Sequence, residues 1–110
     1  VFAMPCRTRR AGWDVEGLGI VYLEGSATGL PVIVGNSGGA VDAVLDGETG
    51  FLVNGNNIGE IRDRLIELFT NPDLAKSMGA AGRNWVAQEW TWEHSFNRLD
   101  SLLSGIDPDQ

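Results

Sequence analysis

Short apolar runs and longer amphipathic stretches take turns along the chain. Residues 1–4, VFAM, are apolar and stop at Pro5, which predicts a strand. Residues 6–18 are polar and irregular, a loop of the length that usually serves function. Residues 19–28 read as a helix, with small Ser26 and Ala27 near its end and Gly29 as its C-cap. Leu30 and Pro31 lead into VIVG, residues 32–35, a β-branched run typical of a strand buried on both faces. A glycine pair follows, then one or two helical turns and a turn, before the strand FLV at 51–53. Ile58, Ile61, Leu65, Leu68 and Phe69 recur at helical spacing and predict a helix over 58–70. Asn71 and Pro72 make an N-cap and first-turn pair for a helix running on through 74–89. Thr91 caps a last helix, with Phe96, Leu99, Leu102 and Leu103 on one face. Residues 107–110 read as a frayed tail.

Strands that alternate with helices imply an α/β fold, a Rossmann-like parallel sheet flanked by helices. In such sheets ligands bind beyond the carboxyl ends of the strands, where loops lead into helices. Two loops qualify by position, 6–18 after the first strand and 36–40 after the second. Each contains glycine and feeds a helix start. There backbone N–H groups lack partners and carry partial positive charge, and glycine allows an anion to come close. Gly17 and Gly19 bracket the first helix entry, and Gly38 and Gly39 the second. Side by side, the two loops suit a diphosphate and the sugar attached to it. The plain alternative is that these glycines only make turns.

Two acids stand astride the glycine-rich entry to the first helix. Glu16 precedes the helix and Glu24 lies inside it, eight positions on, which is roughly two turns and about 12 Å. They cannot work as an acid and base on one atom, but they suit the two ends of one extended ligand whose phosphates lie over the helix start. The shape is that of a nucleoside-diphosphate sugar. The competing reading makes Glu24 a solvated helix residue and Glu16 an acid favoured by the helix dipole.

Composition narrows the classes. The 110 residues are 43% hydrophobic and 21% charged, ordinary for a globular domain and near the low end for an α/β core. A formal charge of −7 argues against nucleic acid as a general partner. No apolar run approaches the roughly 18 residues of a membrane span, and nothing resembles a signal peptide. Cys6 is the single cysteine, which excludes an internal disulfide and a cysteine-based zinc site and fits a cytoplasmic setting. The chain opens at Val1 on an apolar strand, so it is expected to be part of a longer protein.

The segment EGLGIVYLEGSATGLPVIVGNSGGAVDAVLDGETGFLV resembles the donor-binding half of retaining glycosyltransferases of the GT-B fold, the glycosyltransferase group 1 family. The family's E-x7-E motif falls on Glu16 and Glu24, its Gly-Pro-Val strand entry on GLPVIVG, its double-glycine loop on Ser37–Gly39 and its DGxTGxLV turn on residues 46–53. MGAAGRNWVAQEWTWEHSFNRL is similar to the closing helices, so the likeness spans almost the whole chain. MPCRTRR together with VEGLGIVYLE looks most like the phosphatidylinositol-mannoside mannosyltransferases of actinobacteria.

The resemblance implies roles that spacing does not give. Glu16 would lie by the transferred sugar as the catalytic residue, and Glu24 would bond the ribose hydroxyls. Backbone groups of Gly17, Leu18, Gly19, Ile20 and Val21 would meet sugar and diphosphate, with Gly38 and Gly39 beside them. Residues 1–110 would be the C-terminal, donor-nucleotide-binding domain of a two-domain enzyme. The acceptor wall and the family's basic Arg and Lys pair would belong to the missing part and its N-terminal domain. The favoured reaction moves mannose from GDP-mannose to a phosphatidylinositol glycolipid, with no cofactor and no metal, at the inner face of the membrane. The chain departs from its relatives in two places. Ala40-Val41-Asp42 stands where many have Glu or Pro-Glu, and Gly25 stands where Ala is usual, at a cost of about 1 kcal/mol of helix stability.

Other residues have plainer readings beside functional ones. Arg7, Arg9 and Arg10 would contact donor phosphates or an anionic lipid headgroup, or else form a solvated loop. His94, the only histidine, fits a surface or capping role. Trp85, Trp90 and Trp92 fit core or interface packing, and Cys6 a small buried residue. Two competing functions stay open. One is another GT-B enzyme, an epimerase or a phosphorylase, though Lys76, the only lysine, is poorly placed for pyridoxal phosphate. The other is a non-catalytic, Rossmann-like binding fragment.

Overall fold

The computed structural model describes residues 1–105. Three parallel strands, β1 (Phe2–Met4), β2 (Val32–Gly35) and β3 (Gly50–Val53), form one sheet in the order β1-β2-β3. Phe2 pairs with Val32 and Met4 with Val34 on one side of β2, and Val32 pairs with Gly50 and Gly35 with Val53 on the other. Four helices follow the chain: α1 (Ile20–Ala27), α2 (Ile58–Thr70), α3 (Pro72–Glu89) and α4 (Trp92–Ser104). Two 3-10 helices, Arg10–Gly12 and Gly38–Ala43, lie in the loops after β1 and β2. The expected α/β class is therefore present. The frayed tail expected at 107–110 lies outside the described residues.

The period-two alternation of a strand splits the core into two halves. Val32 and Val34 of β2 point to one face, where Tyr22 and Leu23 of α1 and Ala40, Ala43 and Val44 cover them. Ile33 points to the other, where it meets Phe51 and Val53 of β3, Leu68 of α2 and Met78 of α3. All four residues of β2 are buried, as a central β-branched strand requires. Burying side chains of this size contributes about 1.5–3 kcal/mol each. The sheet thus holds the ends of β1 and β2 rigidly side by side, and the loops that leave those ends inherit that placement.

Helix ends follow the chemistry of the sequence. Asn57 accepts a hydrogen bond from the Glu60 amide, Asn71 from that of Leu74, and Thr91 from that of His94. The helix expected over 19–28 runs from Ile20 to Ala27, one residue shorter at each end. Gly19 is its N-cap, with a φ of 74° that a residue with a side chain rarely adopts, and Thr28 is its C-cap. Among the aromatic residues, Trp85 and Trp90 pack edge-to-face at 5.9 Å, as core packing predicts. Trp92 does not join them and is 92% exposed. Cys6 is only half-buried. His94 is half-buried, with its ring 3.5 Å from the carboxylate of Glu89 near the surface. The apolar face of α4 is exposed at Phe96, Leu99, Leu102 and Leu103.

Candidate functional site

Both candidate loops leave the carboxyl ends of adjacent strands, and the structure locks them together through their backbones. The loop after β1 turns back on itself. The Arg9 amide donates to the Asp14 carbonyl at 2.9 Å, and the Asp14 amide returns a bond at 3.3 Å. Its tip runs through positive φ at Arg10, Ala11 and Gly12. The descending limb brings Glu16 against the loop after β2. There the Gly39 amide donates to the Glu16 carbonyl at 3.0 Å, and the Glu16 amide donates to Ser37 Oγ at 3.3 Å. Ser37 Oγ also lies 3.0 Å from the hydroxyl of Thr8, where the loop begins.

The double glycine has a cause here that sequence reasoning did not supply. A Cβ on Gly39 would stand 1.9 Å from the Gly17 carbonyl oxygen, and one on Gly38 would stand 2.0 Å from that of Glu16. The close approach these glycines permit is loop against loop, which brings Gly17, Gly38 and Gly39 to one place. Gly17 itself faces open space.

Glu16 is half-buried at this junction, and Glu24 is exposed on α1. The structure thus places the two acids on either side of the α1 entry, with Gly17, Leu18, Gly19, Ile20 and Val21 between them. Ile20 and Val21 are exposed at the first turn of α1. That turn has neither a side-chain cap nor an acidic residue, so its partial positive charge is left uncompensated. The 3-10 helix at Gly38–Ala43 also lacks a side-chain cap, although its Gly39 amide is taken by the Glu16 carbonyl. The backbone of Glu16 therefore lies between two helix starts that lack side-chain caps. Glu24 also borders an open apolar groove of about 400 Å³ with Leu18, Ile20, Leu23, Trp90 and Trp92.

Of the three arginines, the structure brings Arg7 and Arg9 together. They line an open concavity of about 410 Å³ with Asp14, Cys6 and Gly55, whereas Arg10 lies on the loop tip outside it. Arg7 reaches the side-chain oxygen of Asn56 at 3.5 Å. Among the described residues, no group of three or more His, Cys, Asp or Glu side chains is arranged to hold a metal ion. No helix among them is long and apolar enough to cross a membrane.

Beneath the loops lies a polar cluster that the sequence did not announce. The Tyr22 hydroxyl donates to the Met4 carbonyl and lies 3.2 Å from Cys6 Sγ, and the Cys6 thiol faces the Gly35 carbonyl at 3.5 Å. The tyrosine thus ties α1 to the ends of β1 and β2. Burial pushes its phenol well above the ordinary value, the hydrogen bond with Cys6 adds to this, and the nearby charge of Glu16 adds further. Tyr22, Ser37 and Thr8 were all missed. One polar residue within the apolar run IVYL reads as helix filler, and a serine before two glycines reads as a turn.

Comparison with known proteins decides the family. Residues 1–85 match the family model described as glycosyl transferases group 1. The chain belongs to this family. Over 105 residues this group 1 glycosyltransferase chain is 55% identical to the GDP-mannose-dependent alpha-(1-6)-phosphatidylinositol monomannoside mannosyltransferase of Mycolicibacterium smegmatis. That match covers 96% of this chain and 28% of the relative. A GDP-mannose-dependent monoacylated alpha-(1-6)-phosphatidylinositol monomannoside mannosyltransferase of Corynebacterium glutamicum is 52% identical, over 94% of this chain and 27% of its own length. The chain thus spans little more than a quarter of these relatives. Among solved structures, sucrose-phosphate synthase from Thermosynechococcus elongatus superposes with a TM-score of 0.73 at 29% identity, over 82% of this chain and 23% of that one. HepE of Anabaena, solved with UDP and glucose, superposes at 0.74 with 20% identity, over 84% and 25%, and shares the fold. The family and the GT-B class of fold expected from the motifs are the ones found.

Proposed function

We propose that the protein carrying this group 1 glycosyltransferase chain moves mannose from GDP-mannose to a phosphatidylinositol glycolipid with retention of configuration, and that this chain forms one wall of the donor site. The observation that carries the reading is the junction of the two loops. It holds the backbone of one acid, Glu16, between two helix starts without side-chain caps, with a second acid, Glu24, beyond the first of them. The likeness to GDP-mannose-dependent mannosyltransferases over nearly the whole chain supports the choice of donor and acceptor.

Each group then has a task. The amides at the entry to α1, from Gly17 to Val21, donate to the diphosphate, whose negative charge grows as it leaves. Glu16 faces the sugar and stabilises the positive charge that develops at its anomeric carbon. Glu24 accepts hydrogen bonds from the ribose hydroxyls. Leaving-group charge met by backbone dipoles and arginine cations removes the need for a metal. Arg7 and Arg9 lie in an acidic chain and supply local positive charge toward donor phosphate or an anionic membrane surface. The enzyme accordingly works at the cytoplasmic face of the membrane.

The test is transfer by the intact protein to phosphatidylinositol monomannoside in lipid vesicles, with labelled GDP-mannose and labelled UDP-glucose compared in the presence and absence of a chelator. The expected result is a mannolipid from GDP-mannose alone, at a rate the chelator leaves unchanged. Transfer from UDP-glucose and none from GDP-mannose would overturn the donor assignment.

A further inference from the structure

We infer that the Ser37 hydroxyl, together with Thr8, is a positioning device that sets the place of the Glu16 carboxylate for sugar transfer. This rests on the reading that Glu16 faces the transferred sugar. Among the described residues no hydrogen bond or ion pair reaches the Glu16 carboxylate. Its place is therefore set by its backbone, and that backbone is held at both polar groups by the loop after β2. Ser37 Oγ accepts from the Glu16 amide, and the Gly39 amide donates to the Glu16 carbonyl.

Ser37 is suited to this because it is itself fixed. It is 2% exposed, its backbone is extended, and its amide donates to the Gly35 carbonyl at 2.9 Å, directly at the end of the central strand. One oxygen thus gathers the start of the loop at Thr8 and its end at Glu16, closing the excursion between them. A hydroxyl has two lone pairs and one proton, enough for both bonds at once. The loop between has few ties of its own beyond the Arg9–Asp14 pair, and its tip at Trp13 is exposed. Without the hydroxyl bridge, Glu16 would keep its carbonyl bond to Gly39 but lose the hold on its amide side. The carboxylate would then sample positions away from the reacting carbon. Misplacement of a catalytic group by about 1 Å is enough to cost up to roughly 100-fold in rate.

The experiment is steady-state transfer and GDP binding in the intact enzyme, with Ser37→Ala, Thr8→Val, Thr8→Ser and Glu16→Ala, and with Ser37→Ala combined with Glu16→Ala. Ser37→Ala and Thr8→Val are expected to lower kcat roughly tenfold. KM for GDP-mannose and the Kd of GDP should stay within about twofold, because neither residue is assigned to the nucleotide. Thr8→Ser, which keeps the hydroxyl, should restore kcat. With Glu16 already replaced by alanine, Ser37→Ala should have little further effect, since no carboxylate remains to be placed. A merely structural role would instead lower kcat by the same factor in both backgrounds and weaken GDP binding. Normal kcat in Thr8→Val and Ser37→Ala beside a slow Glu16→Ala would overturn the positioning role and leave Glu16 standing. Normal kcat in Glu16→Ala would overturn both. Thr8 is exposed, so its two variants decide the matter even if Ser37→Ala does not fold.

Discussion

Glu16 and Glu24 are eight residues apart yet differ in how they are held, and they should fail differently when changed. Glu24 stands exposed on α1, proposed against a ribose that does not change during reaction. Its loss should weaken ground state and transition state alike, so Glu24→Ala should raise KM with kcat little altered. A hydrogen bond to a charged group is typically worth about 1.5–3 kcal/mol, or roughly 10–150-fold. Glu16→Gln keeps the shape and removes the charge, and should lower kcat more than it raises KM. Equal, pure KM defects in both variants would dissolve the division of labour. Tyr22 gives a residue-scale prediction about pH. Its ordinary value is 10.0 and burial raises it in the folded state. Below that ordinary value both states hold the proton, and the contribution to stability is complete. As pH rises past it, the unfolded phenol ionises first and stability falls. Tyr22→Phe should cost about 1 kcal/mol at neutral pH through the lost hydroxyl bond to the Met4 carbonyl, which keeps its bond from the Cys6 amide, and should lessen the alkaline loss. Urea midpoints measured on both proteins from pH 7 to above pH 10 would show it. The two glutamates were legible because a motif of fixed spacing names them. Ser37, Thr8 and Tyr22 were not, because each acts on a group 16 to 29 positions away, and only folding reveals such a partner.

At the scale of elements, local rules served well where the deciding partner lies within a few residues. The buried strand at 32–35, the caps at Asn71 and Thr91 and the apolar spacing of α2 all follow from neighbours along the chain. They failed where two elements touch. Gly79 in the middle of α3 reads as a weak point of a helix, yet a Cβ there would stand 1.9 Å from the Gly29 carbonyl oxygen, at the end of α1. Propensity alone predicts that Gly79→Ala stabilises by about 1 kcal/mol. Contact with a backbone oxygen predicts a net loss of roughly 1–3 kcal/mol, read as a lower urea midpoint, because α1 and α3 must separate. The paired loops make the same point for function. Gly39→Val would press on the Gly17 carbonyl and part the loops, so GDP affinity and kcat should fall together, with the melting temperature falling little because the core lies beneath. Unchanged GDP affinity in that variant would show that the loop contact does not shape the diphosphate site.

At the scale of the molecule, the distribution of apolar surface separates what this chain does alone from what it does in a longer protein. The two core halves are closed over β2, but the outward face of α4 presents Phe96, Leu99, Leu102 and Leu103, with Trp92 exposed at its start. A continuous apolar face in water favours association. The proposed donor site is likewise one-sided, because the loop junction, Glu24 and the arginines all open outward, and the relatives are more than three times as long as the part this chain matches. One wall can bind a nucleotide sugar only weakly, since affinity and rate both depend on enclosing the reacting atoms and excluding water. The purified 110-residue chain should therefore self-associate, bind GDP-mannose far more weakly than the intact enzyme and transfer no mannose. Phe96→Glu with Leu99→Glu should shift its sedimentation toward the monomer without improving donor binding, because neither residue lines the groove beside Glu24. Sedimentation velocity and a calorimetric titration test the two halves of this expectation independently. Sugar transfer by the chain, free of any intact enzyme, would mean that a single wall suffices for chemistry. Glu16 and the two uncapped helix starts would then have to supply all of the transition-state stabilisation by themselves.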